Sequence, residues 1–268
     1  MSLATELAEA YAARRLVPTP SSRDPEFGLE AAYAVEAELA RGRAAGGHRV
    51  VGRKIGFANR ALWRVFKLDT VLWAHMYDDT VRFASGGDET LALGRMVAPK
   101  IEPEIIFRLK RPPRGNPAAP AGILADVEWM ALGFEIVDCV YPDWKFKPAD
   151  FVAEFGLHAA LVVGPPLAVD TDAIASLAQR LATAPVRLER DGTLVAEGSG
   201  ANVLESPALC LAELAAGIAR QPGADPLDAG EIIATGALTD NQFIAPGQSW
   251  TASVGGLGLA DLTVRTAL

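Results

Sequence analysis

Apolar residues recur at every third and fourth position over residues 3–16 and 28–45, in stretches rich in Ala, Leu, Glu and Arg. That spacing predicts two amphipathic helices. Between them V-P-T-P-S-S-R-D-P-E-F-G holds three prolines and two serines and reads as a loop. From His48 onward the texture changes to short β-type runs at 49–57, 80–83, 100–109, 127–140, 159–163 and 186–188. Further runs follow at 193–197, 231–234, 250–254 and 258–264. Helical patterns interrupt them at 58–66, 171–184 and 206–218. Strands in runs, broken by occasional helices, predict an α+β fold with a mostly antiparallel core, not a doubly wound sheet. The Pro-rich stretch 111–122 falls between two strands and predicts a long exposed loop. Residues 1–47 read as an N-terminal helical cap, and residues 48–268 as one compact β-rich unit.

Composition narrows the function classes. A length of 268 residues corresponds to between about one and two domains. Lys plus Arg is 25 and Asp plus Glu is 33, a formal net charge of −8. An acidic balance argues against a nucleic-acid partner, which calls for a basic face. No window approaches 18 uninterrupted apolar residues, so no membrane span is expected. The first ten residues, M-S-L-A-T-E-L-A-E-A, lack the basic-then-apolar order of a signal peptide. The two cysteines, Cys139 and Cys210, form no C-x-x-C pair, and a reducing cytoplasm is the default expectation.

Three segments hold candidate chemistry. In K-I-E-P-E-I-I-F (100–107), strand alternation puts Glu102 and Glu104 on one face. Pro103 between them cannot donate to a ladder, which predicts a strand edge or opening. The bland alternative is a solvated acidic loop. In A-L-G-F-E-I-V-D (131–138) a carboxylate, Glu135, interrupts an apolar strand. Buried there, it requires an Arg, a Lys or a metal, and a structural ion pair is the bland alternative. Three converging carboxylates suit a hard cation, Mg2+ or Mn2+, better than zinc. Lys54, in G-R-K-I-G (52–56), sits between glycines that permit close approach to an anion, or is simply a surface lysine. No phosphate-loop or dinucleotide fingerprint accompanies it. His48, His75 and His158 form no metal-binding spacing, and Ser199 in G-S-G is not a nucleophile elbow.

The ordered segments G-x-K-I-G, A-H-M-Y-D-D, I-E-P-E-I-I-F, G-F-E-I-V-D, D-W-K-F-K and T-G-A-L-T resemble the 2-keto-4-pentenoate hydratase and 4-oxalocrotonate decarboxylase family. That family lies within the fumarylacetoacetate hydrolase superfamily, and the resemblance extends to V-P-T-P-S-S and the helix beginning L-E-A-A-Y-A. It implies a mixed β-sandwich roll and a divalent metal, Mg2+ or Mn2+, held by Glu102, Glu104 and Glu135. It also implies catalytic roles for Lys54 and for Asp79, the second acid of the D-D pair. Thr235, Gly236, Leu238 and Thr239 match a turn that contacts the substrate. One segment departs from the family: D-F-V-A-E-F-G-L-H (150–158) puts Phe155 and His158 where family members carry Asn and Ser. Both are candidate pocket residues here, an aromatic wall and an imidazole.

The resemblance implies a homo-oligomer that takes a small 2-oxo acid, and the composition and hydropathy above predict a cytoplasmic protein that binds neither nucleic acid nor membrane. The reaction expected first is hydration of a 2-hydroxy-2,4-dienoate in aromatic catabolism. Decarboxylation of a 4-oxalocrotonate-type 2-oxo acid is the alternative, and a second cation in the cleft would favour it, with Arg53, Lys145 and Lys147 as candidates. C–C hydrolysis ranks next, because A-N-R-A-L-W-R-V (58–65) lacks the His-Glu pair of many such hydrolases. A non-catalytic binding protein ranks last.

Overall fold

The structure is a computed structural model that describes residues 1–113, 116 and 118–268. Three helices open the chain: α1 (Leu3–Ala12), α2 (Pro20–Arg23) and α3 (Leu29–Ala45). The Ser2 hydroxyl caps α1 by accepting from the Thr5 amide at 3.2 Å. Pro20 starts α2 inside the expected loop, since proline's fixed φ suits a first helical turn.

The rest of the chain alternates strands and helices. β1 (Val50–Gly56), α4 (Arg60–Phe66), β2 (Leu72–Tyr77), β3 (Val81–Phe83) and β4 (Asp88–Ala92) come first. Next are β5 (Lys100–Leu109), β6 (Val127–Val137), α5 (Pro148–Ala153), β7 (His158–Val163) and β8 (Leu167–Ala168). The last third holds α6 (Ile174–Thr183), β9 (Pro185–Arg190), β10 (Thr193–Ser199), α7 (Pro207–Arg220) and β11 (Ile232–Ala234). β12 (Gln242–Phe243), β13 (Ser249–Val254) and β14 (Leu262–Ala267) finish it. Of the expected loop 111–122, residues 114, 115 and 117 lie outside the described residues, and Pro120–Asp126 is a 3-10 helix.

Nine strands form one sheet in the order β2-β1-β11-β5-β6-β7-β3, with β12 also on β5 and β8 also on β6. The other five run β10-β9-β13-β14-β4. Pairing is mostly antiparallel; β1–β11, β3–β7 and β4–β14 are parallel. Alternation along β5 decides what each face does. Ile101, Ile105, Phe107 and Leu109 enter the main core with Leu132 and Phe134 of β6, Trp250 and Val264 of the second sheet and Leu211 of α7. Glu102 and Glu104 are left on the opposite face. The run Gly200–Arg220 is long and apolar enough to cross a membrane by length and composition alone, but α7 within it is packed into this core, as are Leu177 and Leu181 of α6. A second cluster seats the N-terminal helices, packing Leu7, Ala10 and Ala32 against Tyr141, Phe151 and Val152.

One irregularity shapes the site. β11 pairs with β5 at residues 106–108 and β12 pairs with it at 100–101, so residues 235–241 leave the ladder opposite Glu102 and Glu104. Pro103, which has no amide proton, lies in that opening and accepts from the Leu238 amide at 2.9 Å. Gly198 of β10 lies against the departing segment, where an added Cβ would sit 2.0 Å from the Leu238 carbonyl oxygen. Gly198→Ala therefore costs about 1–3 kcal/mol by forcing that backbone away. At Gly42, inside α3, a Cβ meets nothing within 4 Å, and Ala there gains about 0.5–1 kcal/mol. Denaturant midpoints moving in opposite directions are the expected result.

Glu154 is 1% exposed, with one carboxylate oxygen lacking any hydrogen-bond partner. Burial and then the nearby Asp138 raise its pKa well above the usual carboxylate value, against the pull of Lys54. The stability tied to its neutral form is full below the unfolded value, about 4.3. It is lost as pH rises through the raised folded pKa. Glu154→Gln keeps the neutral shape, so its stability margin over the wild type should widen between about pH 5 and 8. Denaturation at several pH values checks this.

Candidate metal centre

β5 and β6 pair antiparallel with Glu102 directly opposite Glu135. Glu104 stands two residues along β5, on the same face, opposite Gly133. The register brings one carboxylate oxygen of each glutamate within 4.8 Å of the others. Glu104 and Glu135 are fully buried and Glu102 is half-buried.

The segment that leaves the ladder holds two of the three. The Gly236 amide donates to Glu104 Oε2 at 2.8 Å, from a backbone φ of +108° that favours glycine. Asn241 Nδ2 donates to Glu102 Oε1 at 3.0 Å. Thr235 anchors the start of the segment, its hydroxyl donating to the Ile105 carbonyl at 2.8 Å. Leu238, expected to contact the substrate, is buried in the main core, its amide donates to Pro103 and its carbonyl accepts from Asn202 Nδ2, and it does not line the cleft. Thr239 lines the adjoining cleft, its hydroxyl donating to the Asp240 carbonyl at 3.2 Å.

Glu135 is held by two basic side chains. Lys54 Nζ lies 3.1 Å from Glu135 Oε2 and donates to the Gly156 carbonyl at 2.8 Å. On the other side His158 Nδ1 lies 2.8 Å from Glu135 Oε1, and its Nε2 lies 2.9 Å from the Thr80 hydroxyl. A β-bulge aims this histidine. Ile136 pairs with Ala160 and Val137 with His158, so Ala159 is an extra residue that turns His158 onto the Glu135 face.

Three carboxylates this close cannot all stay ionised unaided. Unit charges 4.8 Å apart repel by about 3.5 kcal/mol at an effective dielectric constant of about 20. The protonation preferences reflect that strain. Burial, then the charges of Glu135 and Glu102, push the Glu104 carboxyl well above its usual range. Glu102 is raised by burial as well, and Glu135 adds to the rise while Lys54 opposes it. Burial also works to raise Glu135, but Lys54 and His158 outweigh it and hold that carboxyl below the ordinary value. Glu104 Oε1 is buried without any hydrogen-bond partner, whereas Glu135 Oε2 faces only the Lys54 ammonium at 3.1 Å. An all-carboxylate set with an orphaned oxygen fits a hard divalent cation such as Mg2+ or Mn2+.

The cluster opens on a cleft of ≈ 600 Å³. Lys54, Glu102, Gly236, Thr239 and Asn241 line it together with Phe57, Phe66, Trp144, Phe146 and Phe151. Asn241 and Lys100 were not among the residues expected here. Lys100 is two residues before Glu102 and shares its face, a signal the alternation already contained.

Two expected residues lie elsewhere. Asp79, read as catalytic, follows the end of β2 that pairs with Val50, whereas Lys54 pairs with Ala74. It is partly exposed, is paired with Arg43, and lies 3.4 Å from His48. Phe155, read as part of the substrate wall, has a left-handed backbone (φ 50°), and its ring lies 6.4 Å from that of Tyr11. Both line a separate cavity of ≈ 450 Å³, as does the far side of His158. His158 therefore meets the cluster through Glu135 and does not line the cleft. Arg53 faces Glu231 at 2.9 Å, and Lys145 and Lys147 are exposed, so none of these three lines the cleft.

Comparison with known proteins places this geometry in a family. Residues 74–265 match the family model described as fumarylacetoacetate (FAA) hydrolase, C-terminal. A 2-hydroxyhexa-2,4-dienoate hydratase of Comamonas testosteroni is 31% identical over 262 residues, covering 96% of this chain and 94% of that protein. A 4-oxalocrotonate decarboxylase of a Pseudomonas species is 32% identical over 256 residues, covering 96% and 94%. The solved 4-oxalocrotonate decarboxylase of Pseudomonas putida G7, complexed with magnesium and adipate, superposes with a TM-score of 0.87 at 26% identity, covering 98% of this chain and 95% of that one. The glutamate cluster thus stands on a fold shared with metal-bound lyases, and the chain belongs to the fumarylacetoacetate hydrolase family, among its 2-keto-4-pentenoate hydratases and 4-oxalocrotonate decarboxylases.

Proposed function

We propose that the protein is a divalent-metal-dependent lyase that hydrates a 2-hydroxy-2,4-dienoate or its 2-oxo tautomer. One observation carries the reading: the oxygens of Glu102, Glu104 and Glu135 converge within 4.8 Å beside the Lys54 ammonium. These three glutamates would hold Mg2+ or Mn2+, which supplies a Lewis acid for the substrate carboxylate and its 2-oxygen.

The protein's own groups account for the rest. Lys54 Nζ, fixed by Gly156 and Glu135, is a positive charge set beside the position where negative charge develops on the 2-oxygen. Stabilising that charge lets a proton move along the conjugated chain and lets water add at C4. The Gly236 amide and Asn241 keep Glu104 and Glu102 in place while the substrate enters. Phe57, Phe66 and Phe151 limit water to the inner end of the cleft and give a conjugated chain a flat apolar wall. Asp79 has no part in this scheme, since it opens on the other cavity.

Loss of CO2 from a 4-oxalocrotonate-type substrate uses the same stabilised charge. A second cation in the cleft, Lys100, favours that alternative. The test is a panel comprising a 2-hydroxypentadienoate, a 4-oxalocrotonate and an acylpyruvate, each with and without added Mg2+ or Mn2+. Product masses are read in every case. The expected result is a metal-dependent product that has gained one water, with kcat/KM falling about 100-fold in Glu135→Gln. Cleavage of the acylpyruvate alone, or turnover indifferent to metal, contradicts the proposal.

A further inference from the structure

We propose that the second cavity, on the far side of His158, is a binding site for a small organic carboxylate, separate from the glutamate cleft. The two spaces share no lining residue. His158 lines the one, and its partner Glu135 belongs to the cluster that opens on the other.

The cavity, of ≈ 450 Å³, is built where α1, α3, the corner between β2 and β3 and the turn after β4 converge on the start of β7. Three arginines, Arg43, Arg82 and Arg95, line it against one aspartate, Asp79, in a chain whose formal net charge is −8. Several of its polar groups are already taken. Arg43 is paired with Asp79, His75 with Glu36, and His158 with Glu135 and Thr80. Arg82 and Arg95 make no ion pair and no hydrogen bond among the described residues. The Tyr77 hydroxyl is also left over: the residue is 3% exposed, and its oxygen has no hydrogen-bond partner. Burial pushes the phenol's pKa up, so the hydroxyl keeps its proton and remains a donor with nothing to receive it. The Arg43 guanidinium lies over the same ring, 4.7 Å from its centroid.

The two unpaired guanidiniums stand on ordered backbone. Arg82 is on β3, in register with Val162 of β7. Arg95 belongs to a turn in which the Leu93 amide donates to the Ala267 carbonyl and the Met96 amide to the Leu93 carbonyl, each at 2.9 Å. Arg14 ties that turn to the end of α1, donating to the Gly94 carbonyl at 2.8 Å. Guanidinium forks match the two oxygens of a carboxylate, and a phenol O–H can donate to either. The remaining lining is apolar, with Leu91, Met96 and the rings of Tyr11 and Phe155, 6.4 Å apart. Charge on one side and apolar surface on the other select a carboxylate with an apolar body over a bare inorganic anion. Phe155 stands where the family pattern has Asn, which makes that apolar wall a feature of this chain.

The test titrates benzoate calorimetrically into metal-free protein and again after loading with Mn2+. Benzyl alcohol serves as the neutral shape and inorganic phosphate as the bare anion. Benzoate should bind one site per chain without metal, at least about tenfold more tightly than either control, and Mn2+ should leave that site in place. Arg82→Gln combined with Arg95→Gln changes only exposed side chains. It should weaken benzoate at least about tenfold and leave Mn2+ affinity unchanged. Tyr77→Phe removes only the unpartnered hydroxyl and should weaken benzoate by about threefold or more. Benzoate binding that requires Mn2+ would put the carboxylate at the glutamate cluster and overturn the inference. Equal binding of either control, unchanged benzoate affinity in the double variant or in Tyr77→Phe, or no binding to either form of the protein overturns it as well.

Discussion

Electrostatic repulsion among Glu102, Glu104 and Glu135 is the constraint around which the rest is arranged. Two cross-strand partners and a same-face neighbour crowd negative charge onto a buried patch of sheet. The chain meets that cost with a lysine, a histidine, a glycine amide and an asparagine, drawn from three separate segments. Glu104 Oε1, buried and still without a partner, is what a divalent cation would satisfy.

The sheet makes this arrangement possible by being interrupted. Continuous pairing of β11 along β5 would fill the space beside Glu102 and Glu104 with another strand. The chain instead leaves the ladder after Ala234 and returns at Gln242. A proline in β5 suits that opening, since no donor is lost there. The opposite face of the same strand is packed with Ile101, Ile105 and Phe107. That packing fixes the strand's register, because a slip by one residue would bury the glutamates in the apolar core.

Much of this was legible in the sequence wherever a period of two applied. β5 runs over the expected residues, 100–109, and the shared face of Glu102 and Glu104 follows from alternation alone. Glu135 stood out as an acid in an apolar strand, although only pairing register shows that it lies opposite Glu102. β2 escaped because all six of its residues are buried, which leaves no alternation to read. The placement of Phe155 and His158 depends on a left-handed turn and a bulge at Ala159, and neither leaves a trace in hydrophobic periodicity. Asp79 opens on a different cavity from the glutamates, which the order of motifs along a chain does not reveal. The fold class needed less information, since runs of strands with few intervening helices already exclude a doubly wound sheet.

The claim that the cluster is a cation site is tested most directly by titrating Mn2+ calorimetrically into metal-free wild type and Glu104→Gln. The substitution keeps an oxygen for the Gly236 amide and removes one charge from the cluster. The account predicts one site per chain in the wild type, binding at least about tenfold weaker in the variant, and a metal-free variant more stable than metal-free wild type. Equal Mn2+ affinity in the two proteins, or a variant less stable without metal, would contradict it.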